Sequence, residues 1–177
     1  MKRRSVWLMA LFLVLCSLSI EAQVRFDLGV DIPRGVGAFV GSDLQSAGFD
    51  GLANAFFPFP EASVYYTFGE ATVRGGVGLR AFTLIVESLA WPNAFVELAL
   101  GPVIVEAQIG GGLFAIAGLA NDIQFGKIFF PDLSAWYRIG KSFRLGLGAL
   151  GLFVPGVDLA NSLPFVWYLG AKFTIAP

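Results

Sequence analysis

Residues Phe165-Val166-Trp167-Tyr168-Leu169-Gly170-Ala171-Lys172-Phe173-Thr174-Ile175 alternate in character with a period of two. Phe165, Trp167, Leu169, Ala171, Phe173 and Ile175 share one parity; Val166, Tyr168, Gly170, Lys172 and Thr174 share the other. Successive side chains of a strand point to opposite faces, so this segment has one oily face and one mixed face. A soluble sandwich hides the oily face against a second sheet. A closed barrel in a bilayer turns it to lipid. Which of the two holds decides the function.

Seven further segments carry the same alternation: 24–32, extending toward 40, then 61–68, 72–85, 94–100, 103–117, 129–139 and 143–154. With 165–175 they make eight strands. Their connections alternate in length. Gly69-Glu70, Gly101-Pro102 and Gly140-Lys141-Ser142 are short, Gly-containing links suited to antiparallel hairpins. The connections 41–60, 86–93, 118–127 and 155–164 are longer. Short turns at one rim and long loops at the other are the habit of outer-membrane barrels, with the short turns periplasmic. The expected fold is therefore all-β, an eight-stranded antiparallel up-and-down transmembrane barrel in one domain.

Residues 1–22 are set apart from that domain. Lys2, Arg3 and Arg4 precede an uncharged apolar stretch, and Ala22 or Ser19 gives a small-residue exit, which is the form of a cleaved secretory signal peptide. The domain is then 23–177. Subtracting Lys2, Arg3, Arg4 and Glu21 from 12 basic and 13 acidic residues leaves nine against twelve, an acidic balance that disfavours nucleic acid. The single cysteine, Cys16, lies before the domain and there is no histidine, so a Cys/His metal site and a His-based hydrolase are both excluded. Helical spanning fails on length. The longest uncharged run of the domain, 107–121, has fifteen residues and four glycines, whereas a helix needs about 20 apolar residues. Gly146-Leu147-Gly148-Ala149-Leu150-Gly151 has the spelling of a dinucleotide fingerprint, but the residues after Gly151 continue a strand and not a helix. No cofactor and no metal is expected, and no enzymatic activity.

The apolar parity includes Val24, Phe26, Leu28 and Val30, then Val73, Val77 and Leu79, then Val103, Val105 and Ile109, then Phe143, Leu145 and Leu147. It ends near the short turns in Phe26, Tyr66, Phe68, Tyr137, Phe143 and Phe173, and near the long loops in Phe153, Phe165 and Trp167. Aromatic girdles at both interfaces are expected of a membrane barrel. The opposite parity collects Arg25, Arg74, Arg80, Arg138, Arg144 and Lys172 with Asp27, Asp31, Glu61, Glu97, Glu106 and Asp132. Eight strands leave room only for side chains, so these charges are expected to pair as a lumen network with no open pore. Inward glycines (Gly76, Gly78, Gly110, Gly112, Gly146, Gly148, Gly170) are expected to make room for the arginines. Nearer the long loops the inward residues are apolar: Phe82, Leu84, Phe95, Phe114, Ile116, Leu150, Leu152 and Val166. That apolar mouth suits a small hydrophobic ligand; the same residues also suit ordinary packing that seals the barrel.

On the alternating strands, the turn Gly69-Glu70 and the segment from Trp167 to Phe173, the chain resembles the small eight-stranded outer-membrane barrels: OmpW, OmpX and the barrel domain of OmpA. The resemblance implies outer-membrane lipid and the barrel-assembly machinery as partners and, from OmpW-like members, small apolar solutes in the lumen. The class usually closes on an aromatic residue read by that machinery; here the sequence runs Phe173-Thr174-Ile175-Ala176-Pro177. Two other roles stay open. One is a surface-interaction or structural barrel acting through the 41–60 loop, with Phe49, Phe56, Phe57 and Phe59. The other is a soluble lipocalin-like carrier, which needs a polar exterior and an apolar interior.

Overall fold

A computed structural model describes residues 23–38, 58–83, 86–119, 121–155 and 164–175. The signal-peptide expectation (1–22), nearly all of the first long loop and Leu84 lie outside the described residues. Eight strands run in chain order: β1 (Gln23–Ala38), β2 (Phe59–Gly69), β3 (Val73–Thr83), β4 (Glu87–Leu100), β5 (Val103–Gly118), β6 (Asp122–Ile139), β7 (Phe143–Gly151) and β8 (Pro164–Ile175). Each pairs antiparallel with its neighbour in sequence, and β1 pairs with β8 to close the barrel. Closure gives every strand a ladder partner on each side, so the sheet has no edge strand, as strands in hydrocarbon require. One end, the turn rim, carries the three short turns and the ends of the ladder at Gln23 and Ile175. The other is the loop rim.

Two of the four expected long loops are instead strand. β4 begins at Glu87 and β6 at Asp122, so residues assigned to the 86–93 and 118–127 connections extend the wall at the loop rim. Trp91-Pro92-Asn93 reads as a break because proline has no N–H for the ladder. The β4–β5 register slips between Ala90 and Asn93, so the ladder is interrupted at Pro92, whose ring faces outward. β5 takes up the slack in a bulge at Gly111 and Gly112, with φ of 123° and 80°. Those left-handed angles suit glycine and few other residues. The triple glycine is therefore a bend in the wall. β7 stops earlier than expected, at Gly151, with Phe153 joined to Phe129 by an isolated bridge.

Along the middle of the described strands the outward parity is apolar; toward the loop rim Arg34 of β1 and Lys127 of β6 are exposed. Leu79 is 52% exposed, Leu147 58% and Trp167 42%, with no second layer over them among the described residues. Phe26, Tyr66, Tyr137, Phe143 and Phe173 are exposed beside the short turns or the ladder ends, and Phe153 and Trp167 are exposed on the loop side. Soluble monomers rarely show contiguous apolar patches beyond a few hundred Å². The polar exterior that a lipocalin-like carrier needs is not there.

Inside, the glycines seat rings rather than arginines. Gly76 stands opposite Phe95, Gly146 opposite Trp136, and Gly148 opposite Tyr168. A Cβ on Gly76 would lie 2.4 Å from the Phe95 ring, and one on Gly148 would lie 2.4 Å from the Tyr168 ring carbon Cζ and its hydroxyl. The reason is volume: an aromatic ring laid across the lumen needs the neighbouring strand bare. Gly148→Ala is expected to destabilise the barrel by about 1–3 kcal/mol through overpacking, read as a lower urea midpoint after refolding in detergent. An unchanged midpoint would show that the Tyr168 ring has room to move.

Candidate functional site

The charged interior falls into two layers. Nearest the turn rim, Arg25 donates through Nε to Asp27 Oδ1 (2.9 Å) and through Nη1 to Glu97 Oε2 (2.7 Å), and pairs with Glu106 Oε2 at 3.2 Å. Lys172 donates to Glu106 Oε1 at 2.8 Å and sits 4.3 Å above the Trp136 ring. Arg144 donates to Glu97 Oε2 at 3.0 Å. β1, β4, β5, β7 and β8 thus meet in one network of three bases and three acids. All six of these residues are buried.

Closer to the loop rim a single guanidinium serves three carboxylates. Arg80 reaches Glu61 Oε2 through Nε (2.9 Å) and Nη2 (2.7 Å), and Asp132 Oδ2 through Nη1 (2.7 Å). Asp31 is 3.6 Å from Nη2, an ion pair too long for a hydrogen bond. The Tyr168 hydroxyl donates to Asp132 at 2.9 Å. Gln108 joins the layers: it donates to Glu106 Oε1, and its Oε1 accepts from Arg80 Nη1 at 3.4 Å and from Asn93 at 2.7 Å. Arg25, Asp27, Arg80, Glu97, Glu106, Asp132, Arg144 and Lys172 all lie in this plug. Arg74 is at its edge, 28% exposed, with Nη1 3.7 Å from Glu97. Arg138 is not part of it. It is exposed at the turn rim and donates to the Gly101 carbonyl at 3.2 Å, because β6 has reached its last residues there. The expected match of six bases to six acids becomes four fully buried bases against six buried acids.

Above the plug, toward the loop rim, is a cavity of about 270 Å³. Phe82, Leu89, Trp91, Phe130, Leu150 and Val166 form its walls, with Pro33 and Phe59 beside them. Asp31 and Tyr168 close it on the side of the plug, and Glu87 also lines it. The aromatic wall is built as a cluster. Phe82 stacks on Trp91 (5.5 Å, 23°), Trp91 meets Phe130 at 4.9 Å, and Phe114 braces both from behind at 6.4 and 5.9 Å. Three of the expected mouth residues, Phe82, Leu150 and Val166, line the cavity. Phe114 supports it without lining it. Ile116 and Leu152 are half-buried and outside its lining.

Phe95 belongs elsewhere. Its ring packs edge-on to Tyr65 at 4.8 Å and lies under the Arg25 guanidinium at 4.8 Å, so it is part of the plug. Trp91, Phe130, Leu89 and Glu87 are lining residues that sequence reasoning did not pick out. Phe130 shares parity with Asp132, Ser134 and Trp136, and Trp91 with Asn93, Phe95 and Glu97. Extending either alternation toward the loop rim finds them; Pro92 discouraged the second.

No protein-family model matches the chain, and no curated protein does. Among solved structures it is similar to neisserial surface protein A, at 12% identity over 86% of this chain and 96% of that one, with a TM-score of 0.44. It is also similar to the N-terminal β-barrel domain of Pseudomonas aeruginosa OprF, at 11% identity over 89% of this chain and 100% of that one, with a TM-score of 0.46. What fixes the class is the ladder itself: the chain is an all-β, eight-stranded, closed antiparallel barrel filled by its own side chains, the architecture of the small outer-membrane barrels.

Proposed function

We propose that this chain is a non-enzymatic barrel of the bacterial outer membrane, exported through a cleaved leader and inserted by the barrel-assembly machinery, whose mouth holds a small hydrophobic molecule. The observation that carries the ligand is the cavity walled by Phe82, Trp91, Phe130 and Leu89 above a closed plug. Apolar concavities with a few polar groups at one end are the usual form of small-molecule sites. The ion-paired layers beneath it favour holding over passage straight through, since a solute moving down the lumen has to separate buried charges. The apolar outer wall carries the membrane half of the reading.

Leu89→Trp fills the cavity while leaving the plug and the outer wall intact. With the barrel refolded in a non-ionic detergent, the neutral fluorescent probe N-phenyl-naphthylamine is expected to bind saturably, and the variant to weaken that binding at least about tenfold. Binding that is absent, or that Leu89→Trp leaves unchanged, contradicts a ligand in the mouth.

A further inference from the structure

We infer that the molecule held in the mouth is a cation, an amine or quaternary ammonium borne on an apolar body. This rests on the mouth being a ligand site. Among the described residues that line the cavity, Asp31 and Glu87 are the charged ones, and both are acidic. Behind Asp31, Arg80 spends its hydrogen bonds on Glu61, Asp132 and Gln108, so the plug layer facing the mouth holds three carboxylates for one base. Among the described residues Asp31, only 6% exposed, meets its basic partner Arg80 in a 3.6 Å ion pair. Among the described residues nothing donates a hydrogen bond to Glu87 Oε1, which is enclosed.

Carboxylates removed from water need a compensating charge or donors, and leaving them short is costly. The other buried cations among the described residues, Arg25, Arg144 and Lys172, pair with Asp27, Glu97 and Glu106 in the other layer. A ligand cation supplies what the described residues do not. An anion would meet the same carboxylates without a counter-charge, and a neutral apolar molecule would leave them as they are. The walls fit the same occupant. Phe82, Trp91 and Phe130 present aromatic surface, which attracts ammonium groups by the ring quadrupole. Arg80 already lies 4.8 Å from the Phe82 ring centroid in that manner. The apolar body would occupy the space against Leu89, Leu150 and Val166.

Three probes with one body separate the possibilities: phenylbutyl-trimethylammonium, its neutral isostere with a tert-butyl head, and phenylbutyl sulfonate. Each is titrated into the full barrel in non-ionic detergent, with tryptophan fluorescence as readout. The cation is expected to bind at least about tenfold tighter than the neutral isostere, with the sulfonate weakest. Glu87→Gln, checked for folding by its heat-modifiable gel mobility, is expected to shrink that preference to a few-fold. Leu89→Trp is expected to abolish binding of all three. Equal binding of cation and neutral isostere, both lost in Leu89→Trp, overturns the cation while leaving the apolar site standing. No saturable binding of any probe overturns both. If Glu87→Gln fails to fold, the comparison of the three probes on the unaltered barrel decides alone.

Discussion

Arg80→Met barrels are expected to be about 3–5 kcal/mol less stable than the parent, or not to fold at all. Methionine keeps an unbranched apolar stem as far as the position of Nε, so the loss is chiefly that of the guanidinium. Without it, Glu61, Asp132 and Asp31 face one another in a layer where Arg80 is the basic group they contact. Removing one partner of a buried ion pair costs far more than the pair gained, because the charge left behind has no water to return to. Arg138→Met is the control. Its guanidinium is exposed at the turn rim and its replacement is expected to shift stability by no more than about 0.5 kcal/mol. Urea unfolding of the refolded barrels compares the two. Equal midpoints for Arg80→Met and the parent would mean the layer is hydrated and the plug is no plug.

The outer wall gives the second large effect. Leu79→Arg and Leu147→Arg each place a cation midway along an outward face where the leucine is more than half exposed. In a bilayer each substitution is expected to cost about 2–4 kcal/mol, falling to about 0–1 near the interfaces. Tyr137→Arg, beside the turn 140–142, supplies the interfacial comparison. If the wall faced water, all three would be near-neutral, since surface substitutions away from special features usually stay within about 0.5 kcal/mol. The depth dependence matters more than any single value, because only a slab of hydrocarbon produces it. Unfolding from vesicles into urea reads it directly.

Most of the architecture was legible from parity. The alternation in 165–175 assigns Trp167 and Phe173 outward and Tyr168 and Lys172 inward, as found. Period two survives tilt, twist and register, so the two faces can be read strand by strand without knowing any partner. Height along the barrel cannot be read that way. Phe95 has the pattern of a mouth residue and lies in the plug, and Arg138 has the pattern of a plug residue and lies at the rim, because register decides which residues share a layer. The bulge at Gly111 and Gly112 and the outward Pro92 moved that register within β4, β5 and β6. The role of the glycines escapes a parity reading for a related reason. Seeing that Gly148 sits under Tyr168 requires knowing that 148 and 168 are partners. The uneven split of charge, three acids to one base beneath the mouth, also needs layer assignments, since the overall count is nearly balanced.

Tryptophan depth tests the central claim most directly. Two single-tryptophan barrels, one keeping Trp167 and the other Trp136, are inserted into vesicles whose acyl chains carry bromine, with the remaining tryptophans replaced by phenylalanine. Trp167 is 42% exposed on the outward face and Trp136 is 2% exposed within the lumen. Strong quenching of Trp167 beside weak quenching of Trp136 is the predicted result. Trp167 escaping the bromine, with the protein folded and monomeric in buffer free of lipid and detergent, would contradict a wall turned to hydrocarbon.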